Sequence, residues 1–163
     1  MSDVPVLDVT PVDGKVSYCE GIHIGYRAWL RAGTTPAYPF GHGLGYTTWS
    51  LTDLDATTRV QAGGSVSVTV QARNEGTRDG RHVVQVYASR ADTLIDRPVR
   101  WLVGFAPVQV AAGSSATVTV GVPARAFADW RDGAWAYEPG DYVLHVGSSV
   151  ADLPLATTTT IVT

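Results

Sequence analysis

The chain has 163 residues, of which 45% are hydrophobic and 17% charged, and its net charge is −3. That length holds one domain and an extension, and without a basic surplus or a run of one sign there is no electrostatic footprint for nucleic acid. One cysteine, Cys19, excludes an intrachain disulfide framework, and no stretch reaches the roughly 20 apolar residues of a membrane helix. The charged fraction lies below the roughly 25% of soluble domains, which fits a compact β domain or a face covered by other protein. Met1-Ser2-Asp3-Val4-Pro5 lacks the basic and apolar regions of a signal peptide. This favours a cytoplasmic address for a complete chain and says little for a fragment.

Residues 1–49 are expected to form an arm. Val4 to Val9 and Ile22 to Tyr26 read as short strands joined by turn-rich connections. Pro39 to Tyr46 is dense in glycine and aromatics and has no period. Such a stretch has little means of burying Tyr18, Tyr26, Trp29, Tyr38, Phe40, Tyr46 and Trp49 alone. It wraps the following domain or belongs to a neighbour.

After Trp49 the pattern becomes one of alternation. Val66, Val68, Val70 and Ala72 interleave with polar residues, which is period two and so a half-buried strand. From about Arg81 to Ser89, Val84, Val86 and Ala88 share one face and Val83, Gln85 and Tyr87 the other, so both sides are expected to be at least partly covered. Ala116, Val118, Val120 and Val122 repeat the pattern, as do Tyr142, Leu144 and Val146. Turn signals at Gly63-Gly64, Asn74-Glu75-Gly76, Ala112-Gly113-Ser114, Asp132-Gly133 and Pro139-Gly140 separate the runs. Only Ala124 to Trp130 reads as a helical turn. The expected fold is all-β, an antiparallel immunoglobulin-like sandwich of about seven strands over residues 50–163. Val68, Val84, Val86, Val120 and Leu144 should share its core, and Tyr142 should act as a tyrosine corner, its hydroxyl capping a backbone turn.

Five separate blocks then carry a family likeness. Glu20-Gly21-Ile22 with Gly25-Tyr26-Arg27, and Pro39-Phe40-Gly41-His42-Gly43-Leu44-Gly45-Tyr46-Thr47, resemble the junction that ends the second catalytic domain of glycoside hydrolase family 3 enzymes. Asn74-Glu75-Gly76 with Gly80 to Tyr87, Arg97 to Phe105, and Pro139-Gly140-Asp141-Tyr142 to Ser149 resemble the fibronectin type III-like domain that follows. Two positions depart from the pattern. Trp101 stands where an acidic residue is usual, so packing is expected to replace a salt bridge there, and Gly45 stands for a frequent serine. The resemblance implies a C-terminal accessory domain of a β-glucosidase-like parent. Retaining hydrolysis needs two carboxyl groups about 5–5.5 Å apart. The family's nucleophile belongs to an N-terminal barrel and its acid/base to the middle domain, and neither motif occurs in this chain.

The expectation is therefore that the chain has no catalytic residue, cofactor or metal site of its own. Its partner would be the catalytic domains of the parent, with self-association through the arm when they are missing, and neither nucleic acid nor membrane. Tyr26, Arg27, Trp29, Phe40, His42, Tyr46 and Trp101 are the interface candidates. Glu20 is read as an ion pair with Arg27 or a backbone hydrogen bond rather than a catalytic acid. His42 is read as part of a tight glycine turn rather than a phosphate loop. His23, His42, His82, His145 and Cys19 show no metal-ligand spacing. Trp101, Trp130, Trp135, Tyr87 and Tyr137 could form a sugar-stacking platform, although packing is the commoner use of aromatics. The alternative from another class is a free-standing module that binds carbohydrate or protein.

Overall fold

The computed structural model describes Pro5 and residues 10–163, so the strand expected at Val4–Val9 lies outside the described residues. Ten strands are present among them: β1 (Trp49–Ala56), β2 (Arg59–Gln61), β3 (Ser65–Asn74), β4 (Gly80–Ser89), β5 (Trp101–Val110), β6 (Ser115–Pro123), β7 (Asp129–Arg131), β8 (Ala134–Ala136), β9 (Gly140–Gly147) and β10 (Leu155–Val162). One sheet has the order β1-β3-β6 and the other β2-β10-β9-β4-β5, while β7 and β8 form a separate hairpin. The two large sheets face each other as a sandwich. One pairing departs from the antiparallel expectation, because β2 runs parallel to β10. After β1 the chain crosses to the opposite sheet for three residues and returns as β3. Thr57 and Thr58 make the crossing, their carbonyls accepting from the Thr159 hydroxyl and the Thr160 amide.

The alternation resolves into an inside and an outside, as expected. Every second residue of β3 from Val66 to Ala72 is fully buried, as are Val84, Val86, Val122, Leu144 and Val146, and all join one core. The sheets pack tightly at Gly104, where a Cβ would sit 2.8 Å from the Val120 side chain. Beside it the register steps from Val86 opposite Gly104 to Tyr87 opposite Leu102. This bulge leaves Val103 without a partner on β4 and turns both Trp101 and Val103 inward. The tyrosine corner is present: Tyr142 is fully buried and donates to the Glu138 carbonyl at 2.9 Å.

Two expectations in the arm and core need correction. Ile22–Tyr26 is not a strand. Gly25 has a φ of 54°, which breaks extension, and α1 (Tyr26–Ala32) follows it. Gly33 ends that helix in the left-handed region, its amide donating to the Leu30 carbonyl. Trp101 is not an outward interface residue. It is 6% exposed, lies edge-on to Tyr142 and donates its indole N–H to the Ala126 carbonyl at 2.9 Å. Packing does occupy the position where the resemblance led one to expect an acid. The expected helical turn near Ala124 is a 3-10 turn, Ala124–Phe127.

Candidate functional site

The sandwich turns the outer face of β4, β5 and β9 towards the arm, and the arm lies along it. Tyr26, first residue of α1, stacks on Phe40 with ring centroids 4.4 Å apart and meets Tyr87 edge-on at 6.3 Å. Its hydroxyl accepts the Leu102 amide at 3.0 Å, next to the β5 bulge. Further along, the Phe40 carbonyl accepts the Val150 amide at 3.0 Å. The Gln85 side-chain amide donates to the Gly41 carbonyl at 3.1 Å and the Ser148 carbonyl at 2.5 Å. The Gln85 oxygen accepts from the Tyr87 hydroxyl at 2.6 Å, and burial, first of all, pushes that phenol well above its ordinary value. The second face of β4 is thus covered by the arm at Gln85 and Tyr87, while Val83 on the same face stays 39% exposed.

At Gly41 the arm lies directly on the Gln85 side chain. The Gly41 φ is 84°, and a Cβ there would collide with the Gln85 side-chain amide. Gly41→Ala should cost about 1–3 kcal/mol and loosen the arm. Limited proteolysis at residues 34–46 should accelerate, while the sandwich stays resistant. Equal cleavage rates in the two proteins would show that Gly41 does not pin the arm.

Thr47 and Asn74 anchor the end of the arm. The fully buried Asn74 accepts from the Thr47 hydroxyl and from the Gly76 amide (3.1 Å), and donates to the Arg78 and Val110 carbonyls at 2.7 and 3.1 Å. Trp49 then stacks on His82 at 5.0 Å. Between this pair, the 41–48 loop and Ser148, Ser149 and Asp152 lies an open groove of about 470 Å³. Burial holds the His82 imidazole below its ordinary value, with Asp152 opposing, so the ring is neutral at pH 7.

The interface candidates fall into three groups. Tyr26 and Phe40 are brought together against the sheet, with the Arg27 guanidinium 5.9 Å from the Tyr26 ring centre. Trp29 is half-buried on α1. His42 and Tyr46 remain in water: His42 is exposed beside Tyr38 at the rim of the groove, and Tyr46, like Leu44, is 92% exposed. The His42 amide donates to the Pro39 carbonyl, which is the tight turn expected there. Among the described residues Glu20 and Arg27 form no ion pair with each other; the Glu20 backbone carbonyl accepts the His23 amide, a bond that does not involve the carboxylate.

The proposed stacking platform divides. Tyr87 and Trp101 are in the interior and Tyr137 packs against the core, so only Trp130 and Trp135 remain outside, 60% and 47% exposed. Gln85, Asn74 and Glu138 carry much of this architecture. Sequence reasoning placed Asn74 in a turn and both Asn74 and Gln85 in a family block without giving either a role, and it did not name Glu138. For Gln85 the signal was available, since it lies mid-strand in a block with both faces apolar.

A family model of the fibronectin type III-like domain matches residues 82–150. Probable β-glucosidase I of Aspergillus niger is 38% identical over 141 residues, covering 82% of this chain and 17% of that protein. Thermostable β-glucosidase B of Acetivibrio thermocellus is 34% identical, covering 88% and 19%. A β-glucosidase from Streptomyces venezuelae, solved with D-glucose, superposes with a TM-score of 0.86 at 36% identity, over 93% of this chain and 20% of that one. The GH3 β-glucosidase of Bifidobacterium adolescentis superposes with a TM-score of 0.84 at 32% identity, over 92% and 22%. The chain spans about a fifth of the length of the relatives it matches. It is a fibronectin type III-like β-sandwich preceded by an arm, and in sequence and fold it matches the C-terminal accessory region of family 3 β-glucosidases.

Proposed function

We propose that this chain is the non-catalytic buttress of a larger retaining β-glucosidase, with the outer side of its arm seated on the catalytic domains. One observation carries the reading. The arm is bonded to the sandwich through Tyr26, Phe40 and Gly41, yet Tyr38, Leu44 and Tyr46 on its other side are 76%, 92% and 92% exposed. Large apolar groups held in water by an ordered backbone mark an interaction surface. Tyr26, Arg27, Trp29, Phe40, His42 and Tyr46 would line that junction, and in its absence the same patch favours self-association.

The purified chain should not hydrolyse nitrophenyl glycosides of glucose, galactose, xylose or N-acetylglucosamine, whereas the intact parent polypeptide should release nitrophenol from the β-glucoside. Turnover by the chain alone that is lost on Glu20→Gln would overturn the non-catalytic assignment. An intact polypeptide with no glycosidase activity would overturn the parent assignment.

A further inference from the structure

The groove of about 470 Å³ beside the Trp49–His82 stack is built from this chain alone, between the 41–48 loop, β4 and the turn that follows β9. Its floor holds polar atoms that the fold leaves free. Ser149 is 3% exposed, and its oxygen accepts the Asp152 amide at 3.1 Å and the Ala151 amide at 3.4 Å. Its hydroxyl proton has no acceptor among the described residues, so it is available to donate. His82 Nε2 lies 3.3 Å from the Ser148 hydroxyl, and the neutral ring keeps one nitrogen as an acceptor.

The walls add two charges of opposite sign. Arg81 on β4 and Asp152 in the turn both line the groove, and Asp152 is close enough to bear on the charge of His82. Among the described residues neither side chain makes a hydrogen bond or an ion pair, whereas Arg73 is paired with Glu75 and Arg131 with Asp129. The remaining rim is apolar, with Leu44 92% and Val83 39% exposed. At Gly43, also on the rim, φ is not in the left-handed region and nothing lies within 4 Å of where a Cβ would sit. Neither backbone nor packing therefore demands glycine there, and its effect is to leave the rim bare.

This set of groups selects a ligand chemistry. An anion would be drawn by Arg81 and repelled by Asp152, and a cation the reverse, so net charge gains little. A neutral molecule with several hydroxyls satisfies both, because each hydroxyl donates one bond and accepts others. An apolar ring face would suit Leu44 and Val83. The Trp49–His82 stack and the bonded Ser149 are ordered already, so binding spends little on arranging them.

We propose that this groove binds one neutral pyranose, its ring face on Leu44 and Val83 and its hydroxyls shared among Arg81, Asp152 and Ser149. The site is complete in this chain, so it goes beyond the buttress reading and stands independently of it. A free monosaccharide and the end unit of a glucan present the same pyranose, and the test separates these sources.

The test follows the indole N–H resonances of the 15N-labelled chain during titration with glucose and with cellotetraose. Glucose should shift the Trp49 resonance saturably, with a Kd of about 1 mM. Cellotetraose of equal affinity would show that a chain end enters as well, and its exclusion would restrict the site to free sugar; either result supports the proposal. Asp152→Asn and Arg81→Gln break no bond of the fold, so each melting temperature should move by less than about 2 °C. Each should nevertheless raise the Kd for glucose at least tenfold. No saturable shift at Trp49 up to about 50 mM glucose, or a Kd that neither variant changes, overturns the site. Shifts confined to Trp130 and Trp135 would place the sugar on the hairpin and overturn it too. Sulfate that moves Trp49 as strongly as glucose does would make the groove an anion site and likewise overturn the proposal.

Discussion

Replacing Val86 with aspartate is expected to abolish folding. Val86 is fully buried near the middle of β4, paired with Gly104 on one side and Val146 on the other. The core cluster around it is made of aliphatic and aromatic side chains. A carboxylate there must stay ionised without a partner or take up a proton far above its ordinary pKa. Either route costs several kcal/mol against a total stability of about 5–15 kcal/mol. Val83→Asp provides the contrast. Val83 lies on the other face and is 39% exposed, so its replacement should cost under about 1 kcal/mol. Circular dichroism melts of the two variants would check the pair. A soluble, cooperatively melting Val86→Asp protein would mean that the faces of β4 had been assigned the wrong way round.

That face assignment rests on period-two alternation, which reads cleanly where a strand has one wet side and no irregularity. β3, β6 and β9 meet those conditions and were legible from the alternation alone, carried by valine in β3 and β6 and by Tyr142, Leu144 and Val146 in β9. β5 was not, because its bulge turns Trp101 and Val103 inward and breaks the period after them. β10 was hidden for another reason. Leu155–Val162 is dominated by threonine, and Thr159 is fully buried with its hydroxyl bonded to Thr57. Read as a polar residue, it conceals a core position. α1 has seven residues and none of them is buried, so it leaves no apolar stripe to find. Gly33, after a run of good helix formers, was the available signal.

The site was legible in part for a similar reason. Tyr26 and Phe40 were picked as an aromatic arm in need of cover, and they find it on Tyr87 and on each other. Trp101 was misplaced because an aromatic beside a motif looks alike whether it faces a neighbour or its own core. Glu138 carried no local signal at all. Its partners Arg97 and Arg90 lie 41 and 48 residues away in the chain, and only the antiparallel return of β9 beside β4 brings them to it.

Glu138→Ala is expected to be the most damaging change outside the hydrophobic core. It would remove the acceptor for the Leu94 amide, the Thr93 hydroxyl and Arg97, and leave two arginines, 11% and 7% exposed, without their countercharge. Breaking a buried pair by removing one partner costs about 3–5 kcal/mol, or roughly 6–20 °C in melting temperature for a domain of this size. Glu138→Gln separates charge from shape. Burial alone would raise the Glu138 pKa, but the bonds from Leu94, Thr93 and Arg97 and the charge of Arg90 outweigh it and hold the carboxyl below its ordinary range. A carboxylate whose pKa is lowered by folding contributes stability that is complete above its unfolded value, about 4.3. That contribution fades as the pH falls through the folded value. The gap between wild type and Glu138→Gln should therefore be constant from pH 7 to about 5 and close below about 4. A gap that persists undiminished at pH 3 would mean that the carboxylate charge is not what holds the 90–100 loop.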